Sequence, residues 1–227
     1  MQKILLLWDI DGTILQSGGA GMAALQRALK DVFGVDRSIA SIDFAGRTDP
    51  WIVRQVFALH GIEDTKENHA RFIDGYIGLL PGILAEKKAS VLPGVRQLLS
   101  EAASNPGVVQ GLLTGNLRRG AQTKLGFHGL WDYFPIGAFA DDSEVRNDLG
   151  PHALRRAEGH WGQEFSPERV WIVGDTPHDI ACARAFGARA LAVATGGSTA
   201  ALLSGHSPDA VLEDLSDGAA FWRILGA

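Results

Sequence analysis

The chain is short of cysteine, of positive charge and of long apolar runs, and each shortage argues against a class of protein. It has one cysteine, Cys182, in 227 residues, so neither a disulfide framework nor a thiolate metal cluster can form within the chain. Its formal net charge of -5 argues against a non-specific nucleic-acid binder, which normally carries a basic stripe. The apolar run at the N-terminus spans only residues 4–8, too short for a signal peptide or a membrane span.

These shortages predict a cytoplasmic protein with no nucleic-acid partner and no membrane contact, and we expect a monomer. The composition is 46% hydrophobic, which is ordinary for a globular protein. A chain of 227 residues is long enough for one α/β core and an accessory domain. Local charge rather than net charge decides phosphate binding, so phosphorylated small molecules remain candidate ligands.

Short apolar runs separated by helical stretches predict the fold. Runs of this kind are typical of strands that are buried on both faces of a parallel sheet. A helical pattern such as that of residues 95–103 lies between them. We therefore predict an α/β fold with a doubly wound, Rossmann-like parallel sheet. The strand-like runs are residues 4–8, 109–113, 136–139, 170–173, 191–193 and 211–212.

Residues 16–90 break this alternation and predict an inserted helical domain. Helical patterns cover residues 20–33, 50–60 and 66–84, with few strand-like runs among them. We predict a helical cap domain at 16–90, inserted into a core domain that comprises 1–15 and 91–227. Gly19-Ala20-Gly21-Met22-Ala23-Ala24 matches a dinucleotide-binding fingerprint, but it lies well beyond the end of the first strand, so we interpret it as a hinge.

Asp9-Ile10-Asp11-Gly12-Thr13 follows the first predicted strand directly. Burying a carboxylate beside a core strand costs several kcal/mol unless a cation or hydrogen bonds compensate. Two acids on either side of one residue, at a turn that Gly12 permits, can take different roles at one reacting atom. The string is also compatible with an ordinary turn. It fits an EF-hand poorly, because Gly12 is the fourth residue counted from Asp9 rather than the sixth, and Ala20 stands at the twelfth position, where a calcium loop has a glutamate.

A second acidic cluster, Gly174-Asp175-Thr176-Pro177-His178-Asp179, follows the run 170–173. If a helix begins near Pro177, Asp175 lies at the end of a strand and Asp179 one helical turn further on, where both can approach one cation. The alternative is a helix cap. Ligands of parallel sheets bind beyond the carboxyl ends of the strands, so Asp9, Asp11 and Asp175 are expected to converge, and oxygen ligands of this kind suit Mg²⁺.

Leu113-Thr114-Gly115-Asn116 ends the second strand-like run at the same edge of the sheet. A threonine hydroxyl and a glycine backbone amide there can donate to phosphoryl oxygens. A plain turn between strand and helix is the alternative.

These motifs, in this order and over nearly the whole chain, resemble those of the haloacid dehalogenase superfamily of phosphatases and phosphotransferases. The resemblance implies that Asp9 is the nucleophile that becomes an aspartyl-phosphate. It implies that Asp11 protonates the leaving oxygen and then activates water, while its backbone carbonyl helps to hold Mg²⁺. Thr114 would join Asp9 and Asp11 in catalysis, and Asp175 and Asp179 would complete the metal site. The residues expected to bind the substrate phosphate are Gly12, Thr13, Gly115 and Asn116.

The family's usual lysine, which neutralises the transferring phosphoryl group, is missing from residues 141–154. Arg146 is the best candidate for its replacement, because a guanidinium can hold phosphate oxygens at two points and stays charged. A solvated surface charge is the alternative reading of Arg146. Lys124, in a predicted helix after Thr114, is the other candidate cation.

The position of the insertion resembles the helical cap of phosphoglycolate phosphatases and β-phosphoglucomutases, which closes over the substrate. Gly46-Arg47-Thr48-Asp49 is then the candidate specificity loop, with Arg47 as a ligand for a substrate carboxylate or second phosphate. Thr48 or Asp49 can equally be a helix cap ahead of Pro50.

The leading hypothesis is a Mg²⁺-dependent phosphatase that hydrolyses a small phosphorylated metabolite, such as phosphoglycolate or a sugar phosphate, through an aspartyl-phosphate. The main alternative is a phosphotransferase or sugar-phosphate mutase on the same scaffold. A binding module that has lost turnover is disfavoured, because keeping the acids together without a cation would be costly.

Overall fold

The structure, a computed structural model, describes residues 3–226 and contains a six-stranded parallel sheet. The sheet order is β5-β4-β1-β6-β7-β8, and each neighbouring pair is parallel. All six predicted runs contain a strand, although the run 136–139 forms only a two-residue one. The predicted α/β sheet is therefore confirmed. The strands are β1 (Ile4–Trp8), β2 (Leu15–Gln16), β3 (Ser90–Val91), β4 (Val108–Leu113), β5 (Gly137–Ala138), β6 (Val170–Gly174), β7 (Arg189–Val193) and β8 (Ala210–Leu212).

Helices cover both faces of the sheet, so the side chains of the central strand β1 are buried on both sides. All five of its residues are buried, and their side chains alternate between two hydrophobic clusters. Leu6 and Trp8 pack on one face, where Trp8 stacks on Phe221 at 5.6 Å between ring centroids. Leu5 and Leu7 pack on the other. A strand buried on both faces has no polar side, which is why its sequence is an unbroken apolar run.

The helices of the chain fall into two sets. Three lie between β2 and β3, and the others alternate with the strands of the large sheet. The helices are α1 (Ala20–Phe33), α2 (Asp49–His60), α3 (Lys66–Glu86), α4 (Val95–Ser104), α5 (Arg118–Phe127), α6 (Leu149–Trp161), α7 (Pro177–Ala185), α8 (Ala200–Ser204) and α9 (Gly218–Leu225). Short 3₁₀ turns occur at Trp131–Tyr133, Arg146–Asp148 and Pro167–Arg169.

Helices α1 to α3 have a hydrophobic cluster of their own, which includes Leu29, Phe57, Phe72 and Leu80. The predicted helix 20–33 matches α1, whereas α2 begins one residue before the predicted 50–60 and α3 extends two residues beyond 66–84. The segment is joined to the rest of the chain by the antiparallel pair of β2 and β3. That pair crosses both predicted domain boundaries, and the division into a core and a cap at 16–90 stays a prediction. Among the helices of residues 3–226, none is both long and apolar enough to cross a membrane.

Candidate active site

Three buried carboxylates meet at the carboxyl ends of β1 and β6. Asp9 follows β1 and Asp175 follows β6, and the two strands are neighbours in the sheet. Asp179 lies in the first turn of α7. One oxygen of each carboxylate lies within 4.8 Å of the other two. The sequence predicted that Asp9, Asp11 and Asp175 converge at this edge. The structure brings Asp9 and Asp175 together, with Asp179 rather than Asp11 as the third carboxylate.

The turn after β1 is built around Asp175. Gly12 adopts a left-handed conformation with φ of 82°, and a Cβ atom added there would overlap the Asp175 carboxylate. The Thr13 hydroxyl donates to Asp175 Oδ1 at 3.2 Å. The Thr195 hydroxyl donates to the carbonyl of Gly12 at 2.5 Å and fixes the turn from the other side. Gly12 and Thr13, which were expected to bind phosphate, thus position a carboxylate in this structure, and their contact with substrate stays a prediction.

Asp179 takes the helix-capping role that the sequence offered as an alternative, and its part in a metal site stays a prediction. Its Oδ2 accepts hydrogen bonds from the backbone N–H of Thr176 at 3.0 Å and from the Thr176 hydroxyl at 2.7 Å, so it caps the start of α7. Its Oδ1 faces Arg146 Nη2 at 2.5 Å. The cap fixes the position of the carboxylate beside Asp9 and Asp175.

Arg146 is the cation of this acidic group. Its Nη2 also lies 3.2 Å from Asp9 Oδ1, and its Nη1 donates to the carbonyl of Gly46 at 3.2 Å. The side chain is 7% exposed, so the alternative of a solvated surface charge is wrong. Burial would lower the pKa of Arg146, but Asp179 and Asp9 hold it above its ordinary value. The guanidinium therefore remains charged beside the expected nucleophile.

Lys124, the other candidate cation, lies in α5 and contacts a different acid. Its Nζ is 2.5 Å from Asp11 Oδ2 and donates to Asn116 Oδ1 at 2.6 Å. Asn116 Nδ2 in turn donates to Asp11 Oδ2 and to the Thr114 hydroxyl oxygen, both at 2.9 Å. Lys124, Asn116, Thr114 and Asp11 form one hydrogen-bonded group. The two cations thus have separate partners, with Arg146 at Asp9 and Lys124 at Asp11.

The acids have opposite electrostatic environments. Burial raises the pKa of Asp9 and that of Asp175, and neighbouring carboxylates raise them further. Burial also acts to raise the pKa of Asp11, but Lys124 and Asn116 hold it below its ordinary value. The carboxylates around Asp9 and Asp175 therefore carry more negative charge than Arg146 compensates, whereas the charge of Asp11 is compensated by Lys124.

The loop before α2 connects the helical segment to this site. The backbone N–H of Asp49 donates to the carbonyl of Gly115 at 2.7 Å, and Asp49 Oδ2 accepts from the N–H of Leu117 at 2.8 Å. The Thr48 hydroxyl donates to the carbonyl of Glu144 at 2.7 Å. Gly115 permits this approach, since a Cβ there would overlap the carbonyl of Arg47. Gly115 therefore faces the loop, and Asn116 faces Asp11. Phosphate binding by either residue stays a prediction.

Arg47 lies apart from the acids. Its guanidinium stacks over Trp51 at 4.5 Å, and its Nη2 is 3.7 Å from Asp43 Oδ2. It lines a neighbouring cavity with Trp51 and His178 rather than the one above Asp9. The Arg47 guanidinium thus lies outside the cavity above Asp9, although the Arg47 carbonyl packs against Gly115 and Arg146 also lines the neighbouring cavity.

A cavity of about 480 Å³ lies between the acids and the helical segment. Asp9, Asp11, Asp175, Arg146 and Lys124 line it on the sheet side. Its volume falls within the range of pockets that bind small molecules. Asp49 also lines this cavity. The sequence placed it in the candidate specificity loop but suggested only a capping role for its side chain. The spacing of residues along the chain held no signal for the contact of Lys124 with Asp11, which joins residues 113 positions apart.

A doubly wound parallel sheet with buried carboxylates and paired cations at the strand ends defines an α/β enzyme that works at the carboxyl edge of its sheet. The model of the haloacid dehalogenase-like hydrolase family matches residues 6–184. The chain belongs to this family, and it is an enzyme of the hydrolase class.

Similar proteins agree with that assignment. A Dickeya dadantii protein named "Probable phosphatase IndB" is 26% identical over 227 aligned positions, covering 95% of this chain and 91% of that protein. A Pectobacterium atrosepticum protein named phosphoglycolate phosphatase is 26% identical, covering 93% and 89%. The crystal structure of a hydrolase from Pseudomonas syringae superposes with a TM-score of 0.74 at 19% identity, covering 97% of this chain and 98% of that one, which shows a common fold.

Proposed function

We propose that the protein is a Mg²⁺-dependent phosphatase that hydrolyses a small phosphorylated metabolite through an aspartyl-phosphate on Asp9. The observation that carries the proposal is the position of Asp9. Its carboxylate lies on the floor of a ligand-sized cavity, 3.2 Å from a buried arginine and within 4.8 Å of two further acids. The names of the two curated relatives are consistent with phosphatase chemistry.

The acidic group fits a hard divalent cation. Asp9, Asp175 and Asp179 offer only carboxylate oxygens, and oxygen ligands are the donors that Mg²⁺ prefers. The raised pKa values of Asp9 and Asp175 indicate that one arginine does not fully compensate the crowded acids. Asp9 and Asp175 would hold the ion, with Asp179 beside them and the backbone carbonyl of Asp11 as the resemblance implies. When bound, Mg²⁺ would neutralise charge on the phosphoryl oxygens and the attacking carboxylate.

The side chains then have separate tasks. Asp9 attacks phosphorus, and Arg146 binds the phosphoryl oxygens and stabilises their charge in the transition state. Asp11 delivers a proton to the leaving oxygen and later takes one from the water that hydrolyses the aspartyl-phosphate. Asp11 must gain a proton before it can donate one, because its ion pair with Lys124 Nζ at 2.5 Å favours the ionised carboxylate. It takes that proton from solvent.

Phosphate release from a panel of phosphomonoesters, with and without Mg²⁺, tests this function. We expect release that requires both the metal and Asp9, so that Asp9→Asn abolishes it. Isothermal titration of Mg²⁺ into the wild-type protein provides a second readout. Transfer of phosphate to a second substrate without release would indicate a phosphotransferase or mutase instead, and metal binding without any turnover would indicate a binding module.

The location and assembly of the enzyme stay predictions. The single cysteine supports a reducing compartment, for which the cytoplasm is the simplest assignment. We infer a monomer with no nucleic-acid partner.

A further inference from the structure

The cavity above Asp9 has two chemically different halves. The half formed by the strand ends carries both cations and every acid of the lining except Asp49, with Asp9, Arg146 and Asp175 at its floor. The half formed by the helical segment is walled by apolar side chains, namely Met22, Leu25, Phe44, Ile52 and the ring of Tyr76. A phosphomonoester with its phosphorus at Asp9 would therefore place its leaving group against apolar walls.

The cations of the cavity are already matched. Among the described residues that line it, the basic ones are Lys124 and Arg146, and each makes a 2.5 Å ion pair with an acid of the sheet edge. Arg47, the cation expected to recognise a substrate acid, lines the neighbouring cavity and faces Trp51 and Asp43. Both cations of the cavity above Asp9 are therefore already paired with acids of the protein. A second carboxylate or phosphate on the substrate would be buried in this cavity without a cation of its own, and burying an unpaired charge is costly.

Asp49 adds an acceptor to the apolar half. It is half-buried where α2 begins, and its Oδ2 is held by the N–H of Leu117. A carboxylate in this position repels an anionic substituent and accepts a hydrogen bond from a hydroxyl or ammonium group. Gln16 and Ser17, which also line the cavity, are uncharged.

From this arrangement, and given the phosphatase function proposed above, we infer the class of substrate. The preferred substrate is a phosphomonoester whose leaving group is free of negative charge, largely apolar, and equipped with a hydroxyl or amine that donates to Asp49. This inference disfavours phosphoglycolate and bisphosphates, whose second anionic group would lie in the apolar half.

Three esters of matched length provide the test, namely butyl phosphate, its terminal hydroxybutyl counterpart and the carboxypropyl ester. We expect kcat/KM for the hydroxybutyl ester to exceed that for the carboxypropyl ester by about tenfold or more, with the butyl ester between them. Equal or better turnover of the carboxypropyl ester would overturn the inference. It would point to the amides at the start of α1, which have no side-chain cap, as the site of the substrate acid.

Affinity measurements separate this inference from the phosphatase proposal. Titration calorimetry of the three esters into Asp9→Asn with Mg²⁺ ranks them without turnover. If wild-type protein releases no phosphate but the affinities keep the expected order, the phosphatase proposal fails and the specificity inference stands. If affinity is absent for all three, or highest for the carboxypropyl ester, the specificity inference fails.

Two variants locate the specificity in named residues. Asp49→Asn keeps an oxygen for the N–H of Leu117 and removes the charge, so the preference against the carboxypropyl ester is expected to shrink severalfold. Asp36→Asn, an exposed acid between α1 and α2 that pairs with Lys30, is the matched control and is expected to leave the preference unchanged. Met22→Lys places a cation on the partly exposed cavity wall and is expected to improve kcat/KM for the carboxypropyl ester. An unchanged preference in both Asp49→Asn and Met22→Lys would contradict the inference.

Discussion

Among single residues, Arg146 connects the acids of the site to the helical segment. It contacts Asp9 and Asp179 through Nη2 and the carbonyl of Gly46 through Nη1. Replacing it by methionine leaves buried carboxylates without their cation, and breaking a buried ion pair in this way costs about 3 kcal/mol or more.

We predict that Arg146→Met lowers kcat by about a hundredfold or more, because the phosphoryl oxygens lose a donor in the transition state. Arg146→Lys keeps the charge without the two-point geometry and is expected to retain more activity and stability than Arg146→Met. Steady-state kinetics and urea unfolding measure both effects. Arg27→Met, which removes an exposed pair with Asp31, is the control and should change neither by much. Wild-type kcat in Arg146→Met would exclude the proposed role.

Gly12 gives a second prediction at this scale. Gly12→Ala must accommodate a φ of 82° and a Cβ that overlaps the Asp175 carboxylate, whereas Gly129→Ala meets a similar φ of 68° with nothing within 4 Å. Backbone strain alone costs about 1–2 kcal/mol. We expect Gly129→Ala to show a loss of this size in urea unfolding, and Gly12→Ala to show a larger loss together with weakened Mg²⁺ affinity. Equal losses in the two variants would show that the turn does not hold Asp175.

The elements of the fold were predictable to different extents. The apolar runs of β1, β4 and β6 are buried on both faces, so composition alone indicated strands there. The two-residue strands β2 and β3 have too little pattern to be recognised, because their pairing depends on where the inserted helices leave the core.

The site was predictable in part. The motifs predicted that Asp9 and Asp175 converge. Which acid Arg146 contacts and which Lys124 contacts depends on how α5 and the turn at Arg146–Asp148 pack.

The start of α2 gives a prediction at the scale of elements, through Asp49. Burial raises the pKa of Asp49 to about 6 from an ordinary value of 3.8, although Lys124 and the N–H of Leu117 oppose that rise. The folded state therefore binds more protons than the unfolded state between these values, and stability falls as pH rises through this window. Asp49→Asn cannot titrate and avoids that loss.

We thus expect the Tm of Asp49→Asn relative to wild type to rise between about pH 4 and pH 7. Thermal unfolding across this range, with Asp36→Asn as the control, measures the difference. A Tm difference that is constant with pH would contradict the assigned environment of Asp49.

At the scale of the whole molecule, the crowded acids couple metal binding to stability. A ligand that binds only the folded state stabilises it by about 2.7 kcal/mol at a hundred times its Kd. We predict that Mg²⁺ raises the Tm of the wild-type protein. Asp175→Asn should lose most of this response, because it removes a direct ligand, while Asp36→Asn should keep it. An equal response in Asp175→Asn would place the metal elsewhere.

Asp9 is proposed to carry the phosphoryl group during turnover. The most direct measurement mixes the enzyme with Mg²⁺ and the best phosphomonoester, quenches the mixture in acid within milliseconds, and maps phosphorylated peptides by mass spectrometry. We predict a phosphoryl group on Asp9 that disappears as substrate is exhausted and never forms in Asp9→Asn. Steady release of phosphate with Asp9 unmodified at every time, or a phosphoryl group on another residue, would contradict the mechanism.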